Sequence, residues 1–249
     1  EATDKLALTR YLDSKLIPNT SEVIKAPLGY GRVLETAVLD TEKMLHSYEK
    51  WLTSQNKLQL ETFAYDDLKF NQDYIEYGGL KARNIVFAEG FGLMKNPFFN
   101  YLPMQGSKGE YITIKVEGLK EERIIKSSLF LIPLGDGLCK AGATYSRGEK
   151  NNSPTETGKT ELVDKLKKLL NYPFKVVVQE AGVRPTVKDR RPLVGKHPKK
   201  DQVWLLNGFG SHGIMVGPWA SLALFNKIEH NLPIISEMDI ERYERLYPN

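Results

Sequence analysis

Apolar residues recur along this chain with two periods, and the places where the period changes mark its elements. The opening stretch to about Leu16 spaces its apolar residues as an amphipathic helix does. After a loop bounded by Pro18 and Pro27, residues 33–39 alternate as a strand, and Asp40 or Thr41 caps a helix running to about Thr53. Residues 57–70 and 74–77 predict short strands, Gly78-Gly79 a tight turn, and residues 84–88 a strand ending in Glu89-Gly90-Phe91-Gly92.

Beyond Leu102 the alternation tightens to the period of two. Strands are expected over residues 110–116, 127–132 and 138–144, the last two joined as a hairpin through residues 133–137. A helix over 157–170 follows, with Thr157 as its cap and Leu162, Leu166, Leu169 and Leu170 as its apolar stripe, and then a strand over 174–181. Residues 203–206 form a short apolar strand, 207–213 a glycine-rich turn, 214–229 a helix and 237–246 a terminal helix. The fold class read from this order is α/β, with an antiparallel sheet in the middle of the chain.

Composition changes this picture little. The 249 residues are 41% apolar, enough for one large domain or two small ones. A net charge of +4 arises from 35 basic and 31 acidic residues that are interspersed, with only short clusters such as residues 196–200, so no nucleic-acid partner is expected. One cysteine, Cys139, excludes an internal disulfide and a multi-cysteine metal site. No window reaches the roughly 18 to 20 apolar residues of a membrane span, no secretory leader is visible, and a cytoplasmic location is expected.

Two segments carry candidate chemistry. In Val203-Trp204-Leu205-Leu206-Asn207-Gly208-Phe209-Gly210-Ser211-His212-Gly213 a buried strand turns into a helix whose free N–H groups can receive negative charge; the plainer reading is a tight turn and nothing more. In Gly182-Val183-Arg184-Pro185-Thr186 an arginine ends a strand, and Pro185 leads the chain away. A guanidinium so placed can fork onto a carboxylate, or form a surface ion pair.

Together these segments resemble the C-terminal signature of the D-amino-acid oxidase superfamily, most of all its glycine oxidase and sarcosine oxidase branch. The similarity rests on Gly182 to Thr186, then Asp189, Pro192 and Gly195, then Gly208 to Gly213. It extends back through residues 34–40, residues 84–90, Leu102-Pro103 with Gly109-Glu110, and Phe130 to Pro133 with Gly142-Ala143-Thr144. The resemblance implies an FAD-binding Rossmann-like region, residues 1–92 and 186–249, with an inserted antiparallel substrate-binding domain over 93–185. It implies non-covalent FAD, and oxidation of the C–N bond of an amino acid or N-methylated amine by hydride transfer to the flavin. Arg184 would anchor the substrate carboxylate and Tyr145 would face the substrate. Ala88, Gly90, Gly208, Gly210, Ser211, His212, Gly213, Ile214 and Met215 would line the cofactor.

There are departures from the pattern. Met215 stands where sarcosine oxidases tend to place a lysine, Phe130 where glycine oxidase-like proteins often place a tyrosine, and Glu89 where a small neutral residue is usual. The family's opening Gly-x-Gly-x-x-Gly turn, which holds the FAD pyrophosphate, is not found; Gly29-Tyr30-Gly31 is not it. The expectation is therefore a fragment whose Rossmann-like region is incomplete and which can self-associate. The alternative is a non-catalytic ligand-binding or assembly subunit.

Overall fold

The computed structural model describes residues 10–248. They fall into two compact units, Glu1–Phe63 with Leu166–Pro173, and Ala64–Lys165 with Phe174–Asn249.

In the first unit, β1 (Leu12–Ile17) and β2 (Tyr30–Val33) pair antiparallel, with Leu16 opposite Gly31. The expected opening helix is thereby corrected over its last residues, while its first nine lie outside the described residues. Pairing with β2 satisfies the backbone of β1 and overrides a weak helical spacing. The strand expected over 33–39 is likewise shifted to β2: Glu35 is left-handed (φ 53°) and Val38 is 72% exposed. Helix α1 (Thr41–Ser54) forms as expected, because the Asp40 side chain accepts from the Lys43 amide at 2.9 Å.

The second unit opens with a three-stranded meander, β3 (Lys69–Phe70), β4 (Ile75–Tyr77) and β5 (Leu80–Ala82), turning at Gly78-Gly79. Most of the strand expected over 57–70 is instead irregular or a 3-10 turn at Tyr65–Asp67. Next come β6 (Ile85–Phe87), a 3-10 segment over Gly90–Lys95, and β7 (Ser107–Val116). Strands β8 (Ile125–Lys126), β9 (Phe130–Gly135) and β10 (Leu138–Gly142) lead to α2 (Glu156–Leu169) and the long β11 (Phe174–Arg184). The chain closes with β12 (Leu193–His197), β13 (Lys200–Asn207), α3 (Gly213–His230) and a 3-10 segment at Ile240–Leu246 in place of the expected terminal α-helix.

The five-stranded sheet runs β11-β7-β10-β9-β8, and its described pairings are antiparallel. Alternation along β7 decides its faces. Lys108, Glu110, Ile112, Ile114 and Val116 are buried, while Ser107, Tyr111 and Thr113 on the other face are half-buried. Ile112 and Ile114 join Leu131, Cys139 and Ala141 in a fully buried layer. Burying each large aliphatic side chain contributes about 1.5–3 kcal/mol.

A second sheet, β12-β13-β6, joins an antiparallel hairpin to a parallel pair in which Trp204 faces Val86. Helix α3 covers it through Val194, Trp204, Ala220 and Leu224, with Ile234 and Met238 completing that core. The structure is thus mixed α/β with antiparallel and parallel pairings, as the sequence implied. Among the described residues no helix is long and apolar enough to cross a membrane.

Candidate active site

The first component of the site is built by register. On β7, Gly109 lies opposite Gly182 of β11, and Arg184 lies opposite Ser107. Beyond β10 the chain continues alongside β7: Thr144 N–H donates to Glu110 O at 3.0 Å, and Ser146 and Lys108 exchange backbone bonds of 2.9 and 2.8 Å. Tyr145, between them, is therefore held beside Gly109.

Arg184 reaches across this gap. A Cβ added at Gly109 would overlap the Arg184 guanidinium, so the missing side chain is the space the arginine occupies. The guanidinium carbon sits 4.4 Å from the centre of the Tyr145 ring, and one terminal nitrogen donates weakly to Thr144 O at 3.4 Å. No carboxylate among the described residues pairs with Arg184. A half-buried, immobilised cation without a counter-ion is a receptor for an anion.

Behind the sheet, a buried polar cluster fixes these strands. The Glu110 carboxylate accepts from the Thr155 amide (2.8 Å), the Thr155 hydroxyl (2.7 Å) and Gln179 Nε2 (2.8 Å). Burial pushes this carboxyl up, but the three bonds and the charge of nearby Lys108 outweigh it and hold it below the usual range. Thr155 Oγ1 also accepts from the Gly158 amide at 3.0 Å, which makes Thr155, and not the expected Thr157, the cap of α2. Buried Lys108 is neutralised by Glu149 at 3.1 Å and bonded to Asn151 at 2.9 Å.

The second component is the turn between β13 and α3. Gly208 (φ 77°) and Gly210 (φ 57°) are left-handed, which favours glycine. Phe209 bridges to Thr186, and the Gly210 amide donates to Pro185 O at 3.0 Å, tying this turn to the segment just past Arg184. Helix α3 starts after His212 with no side-chain cap. Among the described residues nothing accepts from the amides of Ser211, Gly213 and Ile214. Ile214 and Met215, in the first helical turn, are 45% and 79% exposed. Free amides at a helix N-terminus beside exposed apolar side chains fit the charged pyrimidine edge and flat ring of a flavin.

The two components meet in one cavity of about 480 Å³. Of the residues singled out from sequence, Tyr145, Arg184, Gly208, Gly210, Ser211 and His212 line it. Gly213, Ile214 and Met215 continue from its rim into α3 without lining it, and Ala88 and Gly90 lie elsewhere, at the end of β6. There Asn207 Nδ2 donates to Gly90 O at 3.0 Å, so the ends of the two parallel strands are locked together. Glu89 is engaged by Tyr65 and by Asn96 Nδ2, which binds its other oxygen at 2.7 Å. Sequence reasoning missed Arg147, Lys188 and Arg190, which also line the cavity; the only signal for the latter two was the largely basic stretch Lys188-Asp189-Arg190-Arg191, and Arg147 had none.

An unpaired cation on an antiparallel sheet thus shares one cavity with an uncapped glycine turn that leaves a strand paired in parallel. The family model "FAD dependent oxidoreductase" (DAO) matches residues 8–225, and the chain belongs to that family. Its cofactor is FAD. The chain is 29% identical over 114 residues to the glycine oxidase of Bacillus licheniformis, covering 45% of this chain and 31% of that protein. It is 25% identical over 148 residues to the glycine oxidase of Bacillus subtilis (strain 168), covering 57% and 40%. Among solved structures, iminodiacetate oxidase from Chelativorans sp. BNC1 shares the fold with a TM-score of 0.62 at 20% identity, covering 87% of this chain and 60% of that one. The matched stretch thus spans less than half the length of these curated relatives.

Proposed function

We propose that this chain supplies the substrate site and the flavin-facing turn of an enzyme that oxidises the C–N bond of an amino acid or N-methylated amine. The observation that carries this reading is Arg184, laid over Gly109 without a counter-ion, in the same cavity as the turn from Gly208 to His212. Arg184 binds the substrate carboxylate through its terminal nitrogens, and Tyr145 closes one side of the guanidinium. Fixing the carboxylate fixes the direction of the carbon that bears nitrogen, so the chain's contribution is orientation rather than acid or base chemistry. FAD, when bound, would supply the hydride acceptor, the amine being oxidised to an imine as its nitrogen gives up a proton. The free amides of Ser211, Gly213 and Ile214 would offer hydrogen bonds to negative charge on the cofactor.

In this reading residues 1–92 and 186–249 belong to the FAD-binding region and 93–185 to the substrate-binding domain. Ala88, Gly90, Gly213, Ile214 and Met215 serve the cofactor, as do the cavity-lining residues of the turn. FAD is held without a bond to Cys139, which is buried inside the five-stranded sheet.

The test is Arg184→Ala in the full-length protein. A bidentate charged contact is worth roughly 1.5–3 kcal/mol, so KM for a carboxylate-bearing amine rises about 10- to 150-fold while flavin content stays at the native level. Equal loss of substrate and flavin binding would overturn the assignment.

A further inference from the structure

The cavity holds more positive charge than one carboxylate needs. Besides Arg184 it is lined by Arg147, Lys188 and Arg190, and no aspartate or glutamate lines it. Their side chains have no ion pair or hydrogen bond among the described residues. The nearest acid in sequence, Asp189, points away, bound by Arg242 Nε at 3.0 Å and by the Arg191 amide at 2.9 Å. Arg190 is also left-handed at φ 61°, a backbone state that costs an L-residue about 1 kcal/mol. Unpaired like charges gathered in one concavity raise its potential and draw in anions.

We propose that Arg147, Lys188 and Arg190 form a second anion subsite, which selects amine substrates carrying another carboxylate in addition to the one held by Arg184. This rests on the reading of Arg184 as the first carboxylate site. The substrate class is then an acidic amino acid or an N-carboxyalkyl amine, with its two carboxylates spanning the cavity and its C–N bond between them. The three cations differ in what they offer. Arg190 and Arg147 can fork onto a carboxylate, whereas Lys188 presents a point charge on a flexible stem.

The test uses the full-length, FAD-loaded protein and two simple probes, succinate and acetate, with affinities measured by titration calorimetry. Arg190→Gly is the informative variant, because glycine is at ease at a positive φ and the substitution leaves the turn intact. Native protein binds succinate at least about tenfold more tightly than acetate, and Arg190→Gly lowers that ratio by about tenfold. Arg147→Gln or Lys188→Gln lowers it too, and raising the salt concentration weakens succinate more than acetate. A ratio near one in the native protein, or one unchanged by all three substitutions, overturns the subsite. Turnover of iminodiacetate and N-methylglycine separates the two claims. If neither is oxidised yet the succinate preference is present and lost in Arg190→Gly, the subsite stands and the amine-oxidation reading falls. If both are oxidised with equal efficiency and succinate is not preferred, the reverse holds.

Discussion

Gly109→Ala separates stability from substrate binding at one position. Gly109 sits in ordinary strand backbone on β7, so alanine meets no conformational penalty there. Restricting the unfolded chain stabilises the fold by about 0.4–1 kcal/mol. What the new methyl meets is the Arg184 guanidinium, the far end of a flexible side chain, which can move aside. Once displaced, Arg184 leaves the Tyr145 ring and Thr144 O, and it no longer presents its fork to the cavity. The loss is that of a bidentate charged contact, roughly 1.5–3 kcal/mol, or about 10- to 150-fold in KM for a carboxylate-bearing amine. Thermal unfolding should meanwhile stay within about 1 kcal/mol of native or improve. The two measurements are steady-state kinetics and differential scanning calorimetry on the full-length holoenzyme. Adding Gly109→Ala to Arg184→Ala should cost little more, since both remove the same contact. An unchanged KM in the single variant would refute the argument that the absent side chain makes the arginine's seat.

Glu110→Gln should lower the urea midpoint at pH 7, because a carboxyl lowered on folding stabilises the fold above its unfolded pKa. That contribution is lost as pH falls through the folded value, so the gap to native should close below about pH 4.3; a gap constant from pH 7 to about pH 3 would contradict the sign. Ile112→Ala removes a fully buried side chain from the sheet's core layer and should cost about 2–5 kcal/mol in chemical denaturation, against near-neutrality if that layer were loosely packed. Burial pushes the Cys139 thiol up to about 11, which disfavours it as a flavin attachment point, so Cys139→Ser should leave the share of flavin released by acid precipitation of the full-length protein unchanged; colour freed from the pellet only in the variant would show a link through Cys139.

Much of the site was legible because it depends on backbone. The left-handed glycines at 208 and 210 and the proline after Arg184 announce a turn and a strand end without any knowledge of neighbours. Gly109 could not be read in this way, since its purpose is set by a side chain arriving from β11, and only register brings the two together. The cap of α2 shows the same limit. Thr155 and Thr157 look alike in sequence, and the choice falls to Thr155 because Glu110, from a distant strand, bonds both its amide and its hydroxyl. Strand β12 was hidden by Pro192 and Gly195, which read as loop until β13 supplies a partner. Arg147 and Arg190 gave no separate signal, because convergence of like charges is a property of the folded surface.

The loop that carries Lys188 and Arg190 is fastened through its backbone, Lys188 N–H donating to Pro103 O at 3.1 Å and Arg190 N–H to Val187 O at 3.0 Å, and through Arg242. Arg242 holds it through Asp189, through Pro192 O at 2.8 Å and through Arg191 O at 3.4 Å, while Val194 bridges to Asp239. The side chains of Lys188 and Arg190, on the cavity side, hold nothing in place. Exchanging these two side chains therefore breaks no side-chain contact, and within the limits that the left-handed backbone of Arg190 sets, a lineage could exchange one substrate charge preference for another in single steps. The anchoring residues, 189 and 242, would have to change together.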